Sequence, residues 1–370
     1  MIKTSLFPVL ISVCLSASLS AQTSGAGTIT GTITDPSGGV VPGAAVVVAN
    51  TATQTERTLS TNDAGIFVAQ FLQPGSYEIT VSKQGFAKTV RTGLTLQVGQ
   101  TLSVNLAIQV QTTNEAVTVA GDASIVDTEK TEMSQVVSQT QKENLPIAGR
   151  RWEGFALLTP NVTTDGGTGL VAYRGISGLY NQSSVDGTSN SQAFFSETKG
   201  RTTLSYVYSM DSIQEFQVAS SNYSAELGQA AGGVVNAVTK SGTNGVHADL
   251  FYYLRYPSLN ALDPLQKSRG IFTQPIHQQQ QFGGSVGGPL VKDKLFYFFT
   301  YEGSRKVNPI SYTSTSFNGP QTCLAAIPIA TCAAANSFIA AQLGAFPRST
   351  QQDVIFGKVD YQFTPGNHVS

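Results

Sequence analysis

Short runs of alternating apolar and polar residues, separated by turn residues, fill the chain between residue 27 and about residue 110. Thr28–Thr34 alternates isoleucine with threonine and glycine, and Thr101–Ile108 carries an aliphatic residue at every second position. A period of two is typical of strands with one buried face. Further strands are expected at Ala44–Ala49, Gly65–Phe71 and Ser76–Ser82. Turns are expected at Asp35–Gly39, Asn62–Gly65 and Gln73–Gly75. The pattern predicts about seven strands, enough for a compact β-sandwich.

A second alternating pattern begins at Val246 and has the polarity expected of membrane strands. Val246, Leu250 and Leu254 share one parity, while Asp249 and Arg255 take the other. Lipid on the outside and a polar lumen on the inside of a β-barrel require this alternation. Further strands are expected at Phe282–Val286, Lys294–Glu302 and Ile355–Phe363.

The connections between these four strands predict their orientation. Pro289–Asp293 is short enough for a periplasmic turn, whereas the segments 256–280 and 303–352 are long, as outer loops are. Four strands cannot close a barrel, and an open sheet edge in lipid would leave backbone groups unpaired. We therefore expect the sequence to be the N-terminal part of a longer chain.

The first residues predict export from the cytoplasm. Met1-Ile2-Lys3 precedes an apolar stretch, Leu6–Leu19, and the small residues of Ser20-Ala21. This order is typical of a secretory signal peptide, with cleavage expected after Ala21. Of the three cysteines, Cys14 would be removed with the signal, leaving Cys323 and Cys332. Outside the cytosol this pair is expected to form a local disulfide, with free thiols as the alternative.

Charge and motifs exclude several classes of function. Lys and Arg (22) nearly balance Asp and Glu (23), so no overall field favours nucleic acid. Gly283–Gly287 fits the G-x-S-x-G pattern of hydrolases, but it lies inside an alternating strand rather than at a strand–helix turn. No phosphate-binding loop or HExxH motif occurs, and the three histidines are scattered. We predict a protein that is not an enzyme and has no cofactor and no metal site.

Several pieces of the first region resemble one known domain family. These are Gly31–Asp35, Val41–Ala44, Thr61–Gly65 and Leu72–Tyr77. They look like the carboxypeptidase regulatory-like domain, a transthyretin-like β-sandwich grouped with carbohydrate-binding-like folds. The resemblance implies no peptidase activity. A rigid periplasmic spacer is the preferred interpretation, and glycan binding is the alternative.

Longer motifs in the middle of the chain resemble the plug of TonB-dependent receptors, in particular the Oar-like branch. The motifs are Glu143–Arg150, Phe155–Val162, Tyr173–Gly175, Ser184–Gly187, Met210–Phe216, Ser221–Gly228 and Gly232–Gly242. Pro289–Phe296 likewise resembles the first barrel turn of that branch. After Ile213–Val218, siderophore and vitamin receptors usually have Arg-Gly-Pro, whereas this chain has Ala219-Ser220-Ser221. This departure weakens a siderophore assignment and leaves the plug assignment standing.

The linker before the plug contains a candidate TonB box, formed by Glu115, Ala116, Val117, Thr118 and Val119. Such a box pairs as an added strand with a sheet edge of TonB, the inner-membrane partner. The alternative is that this segment is the last strand of the sandwich or the first strand of the plug. Segments 163–169 and 178–193 are expected to be loops. Tyr180, Asn181, Gln182, Phe194 and Phe195 are candidate ligand contacts, with ordinary polar loops as the alternative.

The predicted fold class is therefore mainly β, with four parts after residue 21. These are a transthyretin-like sandwich at 27–110, a linker at 111–124, an α+β plug at 125–242 and the start of an incomplete transmembrane β-barrel at 243–370. The resemblance implies TonB-dependent uptake of a glycan, peptide or siderophore-like chelate across the outer membrane. Its expected partners are TonB and outer-membrane lipid, and its N-terminal domain would lie in the periplasm. The alternative function is adhesion or envelope structure with the barrel as an anchor.

Overall fold

The structure, a computed structural model, divides into two compact units. The first contains residues up to 246, 287–298 and 358–370, and the second contains 247–286 and 299–357. The residues described are 25–111, 117–120, 132–147, 150–165, 170–192, 206–261, 264–268, 278–312, 327–342, 344–364 and 367–370. The predicted signal peptide lies outside them.

Residues 25–111 and 117–120 form a two-sheet sandwich, as predicted. One sheet has the order β4-β1-β7, with β8 also paired to β1, and the other has the order β3-β2-β5-β6-β9. The strands are β1 (Gly27–Thr34), β2 (Ala45–Asn50), β3 (Glu56–Ser60), β4 (Ile66–Leu72), β5 (Gly75–Ser82), β6 (Thr89–Leu96), β7 (Thr101–Ser103), β8 (Leu106–Ala107) and β9 (Val117–Ala120).

Strand β1 shows how the alternating sequence produces the core. Its burial alternates residue by residue, so Ile29 and Ile33 lie fully inside while the threonines between them lie nearer the surface. Ile79 on β5 and Leu94 on β6 pack in the same aliphatic cluster. Gly31 faces the Val104 carbonyl so closely that a Cβ there would lie 1.9 Å from the oxygen. This contact requires glycine at position 31.

The predicted strand pattern of the sandwich needs three corrections. β3 and β6 were not predicted, because Glu56–Ser60 is mostly polar and Gly93 interrupts the alternation of β6. The predicted strand Thr101–Ile108 is divided into β7 and β8, which pair in parallel with successive parts of β1. The predicted turns hold: the Asn62 carboxamide oxygen accepts hydrogen bonds from the backbone N–H groups of Ala64 (3.0 Å) and Ile66 (2.9 Å).

Residues 132–241 include most of the predicted plug and are called the plug region after that prediction. They contain a five-stranded sheet in the order β10-β15-β16-β13-β14 and a separate β11-β12 pair. The strands are β10 (Met133–Val137), β11 (Val162–Asp165), β12 (Leu170–Tyr173), β13 (Gln182–Val185), β14 (Thr188–Ser189), β15 (Ile213–Ser221) and β16 (Val234–Thr239). Helix α1 spans Gln139–Asn144, and short 3₁₀ helices occupy Trp152–Leu158, Gly178–Tyr180, Met210–Ser212 and Ala225–Leu227.

The plug region has its own apolar core beneath this sheet. Trp152 is fully buried and meets the Phe216 ring edge-on at a centroid distance of 5.2 Å. Val137, Ile213 and Ala237 belong to the same cluster. Two loop predictions for this region were wrong. Residues 163–165 of the predicted loop 163–169 belong to β11. Segment 178–193 is not a simple loop, because it contains β13 and β14.

The C-terminal region forms a five-stranded sheet in sequence order, β17-β18-β19-β20-β21. The strands are β17 (His247–Arg255), β18 (Gln278–Val291), β19 (Leu295–Tyr312), β20 (Gly344–Thr364) and β21 (Asn367–Val369). Four strands were predicted. The fifth was missed because Asn367–Val369 is too short to show alternation, yet it pairs back onto β20.

Part of this sheet buries polar residues and exposes apolar ones, the reverse of a water-soluble protein. Thr300 and Glu302 on β19 are fully buried, whereas Leu250 and Ile355 are 91% and 68% exposed. Large apolar patches on a surface mark contact with another apolar phase. Apolar residues outside and polar residues inside are what lipid around a polar lumen requires. The predicted alternation is confirmed along β20 from Ile355 to Phe363, whereas β17 is exposed along nearly its whole length and β19 buries Phe296 and Phe298 as well as Thr300 and Glu302.

The connections between these strands are shorter than predicted, because the strands extend beyond the apolar runs. The second long connection covers only 313–343 rather than 303–352, and it contains helix α3, Ile329–Gln342. The first contains a 3₁₀ turn at Pro257–Leu259 and helix α2, Pro264–Ser268. Gly283–Gly287 lies within β18, as expected for a sequence that is not a nucleophile elbow. Within the described ranges, no helix combines the length and apolar character needed to cross a membrane.

Candidate functional site

The candidate TonB box is placed at the edge of the sandwich. Val117–Ala120 forms β9, which pairs in parallel with β6 through Thr89↔Val117, Val90↔Thr118, Arg91↔Val119 and Thr92↔Ala120. Glu115 and Ala116 lie outside the described residues. This placement agrees with the alternative that the segment is the last strand of the sandwich. It also shows that the segment can adopt the extended conformation that strand addition requires.

Two of the motifs that resemble a plug are tight turns with left-handed backbone. Arg174 and Gly175 have φ values of 54° and 77°, and Asp186 and Gly187 have 47° and 78°. Two consecutive positive φ values are typical of a type I′ turn, which favours Asp-Gly or a similar pair. The motifs therefore encode backbone geometry.

Asp186 also joins β13 to β16. Its carboxylate accepts hydrogen bonds from the backbone N–H of Thr239 (2.9 Å) and from the Thr239 hydroxyl. Lys358 on β20 lies 3.9 Å from the same carboxylate, and its ammonium group donates to the Thr239 hydroxyl at 3.3 Å. This polar cluster connects the β13–β14 turn with the inner face of β20.

Charged side chains are buried in the plug region. Arg150 forms an ion pair with Asp211 at 2.7 Å, with only 8% and 20% of the two side chains exposed. Lys142 on α1 is 3% exposed and donates hydrogen bonds to the carbonyl oxygens of Met210 (3.4 Å) and Ile213. Burial lowers the pKa of Lys142 to about 7, and Lys240 acts in the same direction. A lysine of this kind holds its charge weakly near neutral pH.

Glu215 on β15 is the acidic counterpart of Lys142 and joins the plug region to the sandwich. Its carboxylate accepts a hydrogen bond from the backbone N–H of Val98, in the turn between β6 and β7. Burial raises the pKa of Glu215 to about 7, although the Val98 hydrogen bond and Lys142 oppose the shift. Gln214, one residue earlier, donates to the Pro74 carbonyl at 3.3 Å. The β15 strand therefore carries a docking surface for the sandwich, which sequence reasoning missed because nothing local marks it.

The candidate ligand contacts have different surroundings. Tyr180 is 60% exposed, whereas Asn181 donates to the Val171 carbonyl at 2.6 Å and accepts from the Gly233 N–H at 3.2 Å. Gln182 donates to the Ser189 hydroxyl at 3.0 Å. Phe194 and Phe195 lie outside the described residues. Of the three described candidates, Tyr180 has the exposure that ligand contact needs. Asn181 links β12 to the residue before β16, and Gln182 links β13 to β14.

A further concave surface in the first unit was not anticipated from the sequence. This cleft is lined by aromatic side chains and by polar ones, among them Tyr77, Phe296, Gln214, Asp360 and His368. The Oδ2 atom of Asp360 is buried without a hydrogen-bond partner. Because these residues are far apart in sequence, only the fold brings them together.

Cys332 lies in α3 and is disulfide-bonded. Cys323, its predicted partner, lies outside the described residues, so the pairing stays a prediction. Across the described ranges, no group of three or more His, Cys, Asp or Glu side chains is arranged to hold a metal ion.

Two family models match the chain. Residues 28–109 match the carboxypeptidase regulatory-like domain, and residues 238–323 match the outer membrane beta barrel domain. Together with the exposed apolar residues and buried polar residues of β18–β20, these matches define an outer-membrane protein with an N-terminal regulatory-like sandwich. Both resemblances inferred from sequence motifs in these two regions are confirmed.

The chain is similar in sequence to the TonB-dependent transporter Oar from Myxococcus xanthus. The two are 28% identical over 289 residues, which are 73% of this chain and 26% of that protein. The chain thus spans about a quarter of the length of this curated relative. That relative is a transporter, in agreement with the prediction that the chain is not an enzyme.

Two solved structures of outer-membrane proteins are similar to the chain. The siderophore receptor PirA from Acinetobacter baumannii matches with a TM-score of 0.40 and 19% identity, over 63% of this chain and 29% of that one. The outer membrane transporter YddB from Escherichia coli matches with a TM-score of 0.44 and 15% identity, over 63% and 31% of the two chains.

Proposed function

We propose that the chain is the N-terminal part of a TonB-dependent receptor that takes up a ligand across the outer membrane. The observation that carries this proposal is the 28% identity with a TonB-dependent transporter over 289 residues. The described parts fit the role: a sandwich, a plug region linked to a membrane strand through Lys358, and strands with an apolar outer face. Glycans, peptides and siderophore-like chelates remain the ligand classes.

In this proposal, TonB binds the box at Glu115–Val119 by strand addition and pulls on the plug region that follows it. Five strands do not enclose a plug, and plugged transporters have about 22. A native mass in purified outer membranes close to that of 370 residues would contradict a complete transporter.

The coupling role is tested by binding of the purified periplasmic domain of TonB to the native protein in detergent. Val117→Pro removes one backbone N–H from the box and should weaken this binding strongly, because strand addition depends on backbone pairing. Thr113→Pro, in the linker ahead of the box, is the matched control. Equal binding by both variants and the wild type would place the TonB contact elsewhere, and no binding by any of them would favour the adhesion alternative.

A further inference from the structure

One aromatic side chain of the sandwich lies outside the core, against the pattern of its strand. Along β4, exposed and buried residues alternate from Ile66 to Ala69, but Gln70 and Phe71 are both exposed and Leu72 is buried instead. The β1–β4 register shifts at this point, because β4 carries one extra residue there. Such a β-bulge re-aims the side chains around it and is common beside functional sites. The bulge therefore turns Phe71 out of the core.

The backbone of Phe71 is strained at this bulge. Its φ of 58° lies in the left-handed region, which a bulky side chain avoids and glycine adopts readily. The side chain is 61% exposed, so burial of its ring does not offset the strain. Strained residues cluster at ligand-binding positions, where the surrounding structure holds them in place. A contribution to binding explains the strain at Phe71 better than a contribution to the core.

Phe71 lines the cleft of the first unit together with the buried ring of Phe296. The cleft has a volume of about 220 Å³, smaller than the roughly 300–1,000 Å³ of pockets that enclose drug-sized ligands. Its polar lining is rich in uncharged amides, including Gln73, Gln214 and Gln362. An aromatic wall and a few polar groups are the usual composition of a small-molecule site. The cleft therefore fits a single small group that is partly polar.

The cleft also offers unused hydrogen-bonding capacity. The Oδ2 atom of Asp360 is buried and has no hydrogen-bond partner among the described residues. A buried acceptor without a partner is costly, so a ligand that donates to it is stabilised. Amide side chains both donate and accept, and a hydroxyl group also does both. A small ligand with several hydroxyl groups therefore matches this lining.

Two other kinds of ligand fit the cleft less well. An extended peptide would have to add to the edge of β3, but Arg57 on β3 donates a hydrogen bond to the Gln70 carbonyl on β4. This contact crosses the space in which an added strand would run. An anionic ligand would meet the carboxylates of Glu56 and Asp360, and like charges repel. A neutral ligand rich in hydroxyl groups avoids both conflicts.

We propose that the cleft binds one pyranose ring of a saccharide, with a C–H face against Phe71 and hydroxyl groups toward Asp360 and the amides. A pyranose combines an apolar face with a rim of hydroxyls, which is the combination that the cleft requires. Phe296 follows the short β18–β19 turn, the predicted periplasmic turn, so the saccharide would be one that reaches the periplasm. Two sources share this chemistry: the amino-sugar glycan of the cell wall and a saccharide that passes through the receptor. The inference does not rest on the proposed function, because binding to the cleft requires neither TonB nor transport.

Two glycosides serve as probes for the site, methyl β-N-acetylglucosaminide and methyl β-glucoside. Their binding to the native protein in detergent is measured by saturation-transfer NMR titration. Phe71→Gly is the informative variant, because glycine accepts a φ of 58° and removes the aromatic face. We expect this variant to bind the glycosides at least about tenfold more weakly and to melt no lower than the wild type. A purely structural role for Phe71 would lower the melting temperature instead.

Two further variants make the test independent of folding effects. Val68→Ala shortens another side chain of β4, one that is 45% exposed and does not line the cleft, and it should bind like the wild type. Phe71→Leu keeps an apolar side chain on the same strained backbone but loses the ring, so it should also bind more weakly. A loss of binding in Phe71→Leu supports the site even where Phe71→Gly folds poorly.

The outcomes decide between the saccharide and its alternatives. Tighter binding of the N-acetylglucosaminide would identify the cell-wall glycan as the source, and equal or tighter binding of the glucoside would identify the saccharide that passes through the receptor. Both results support the site. Wild-type affinity in both Phe71 variants, or no binding of either glycoside to the wild type, would overturn the proposal. Binding of cadaverine in place of the glycosides, weakened by added salt, would also overturn it, because Glu56 and Asp360 would then select a cation.

Discussion

The sandwich and the plug region are both built on β-sheets, but they bury different kinds of side chain. Within residues 25–111, the buried polar residues are Asn50, Thr61 and Thr89, and none is charged. The plug region buries Lys142, Arg150 and Glu215 together with several hydroxyl and amide groups. Buried charges are stable only while each keeps its partners. The sandwich is therefore a robust scaffold, whereas the stability of the plug region depends on single polar contacts and on pH.

The largest expected effect comes from breaking the buried ion pair of the plug region. Asp211→Ala removes the carboxylate that lies 2.7 Å from Arg150. We expect the free energy of unfolding of the plug region to fall by about 3–5 kcal/mol, because the buried guanidinium loses this charge. Hydrogen exchange of peptides from β15 and β16, measured by mass spectrometry, reports the local change.

The control for this variant is an exposed ion pair of the same chemistry. Arg305 and Asp353 lie 2.8 Å apart, with 33% and 46% of their side chains exposed. Asp353→Ala should lower the free energy of unfolding far less than Asp211→Ala does, because water screens an exposed pair. Equal losses in the two variants would show that burial does not decide the stability of the plug region.

In the sandwich, a comparable loss requires a cavity. Ile79 is fully buried in the aliphatic cluster, and Ile79→Ala should lower the free energy of unfolding by about 2–5 kcal/mol. Ile66, 38% exposed on β4, is the control, and Ile66→Ala should have a much smaller effect. Hydrogen exchange of peptides from β2 and β5 should be faster in Ile79→Ala than in the wild type at every pH tested. A strongly pH-dependent loss would contradict the view that this core is free of charge effects.

The sequence predicted some parts of the fold correctly and missed others, for physical reasons. Thr28–Thr34 and His247–Arg255 show a period of two because one face is buried or faces lipid, and this periodicity is local. The parallel β6–β9 pairing is not local: it joins Thr89 to Val117 across the sandwich, and no residue marks the register. Lys142 in a polar six-residue helix resembles a surface lysine, and only the carbonyls of Met210 and Ile213 reveal its burial. The sequence thus predicted the segment of the candidate TonB box but not its pairing with β6.

The pH dependence of the plug region gives the third prediction. Glu215 has a pKa of about 7 in the fold against a usual value of 4.5, so the folded state binds more protons between these values. Its contribution to stability therefore falls as the pH rises from 4.5 to 7. Glu215→Gln keeps an oxygen that can accept from the Val98 N–H and removes this dependence. Relative to wild type, the variant should gain on the order of 2–3 kcal/mol across that window.

Lys142 produces the opposite slope in a different window. Its pKa falls from 10.5 to about 7 in the fold, so the folded state binds fewer protons between those values. Its contribution to stability rises with pH from 7 to 10.5, and Lys142→Met should remove that rise. Thermal unfolding of both variants at pH 5, 7 and 9 distinguishes the two groups. Glu56→Gln on exposed β3 controls for the loss of a surface charge, and identical profiles for Glu215→Gln and wild type would count against a buried ionisable Glu215.

The smallest expected effect tests whether helix α1 holds Lys142 in place. The Ser138 hydroxyl accepts from the Gln141 backbone N–H at 3.4 Å, and the Gln141 side chain accepts from the Ser138 N–H at 3.1 Å, forming a capping box. Ser138→Ala should lower the free energy of unfolding of the plug region by about 1 kcal/mol. Gln139→Ala, which removes an exposed side-chain hydrogen bond to Glu143, should cost only about 0.2–0.5 kcal/mol. If α1 positions Lys142, Ser138→Ala also flattens the rise in stability between pH 7 and 10.5, because a frayed helix lets water reach the ammonium group. An unchanged slope would mean that the carbonyls of Met210 and Ile213 fix the lysine without help from the cap.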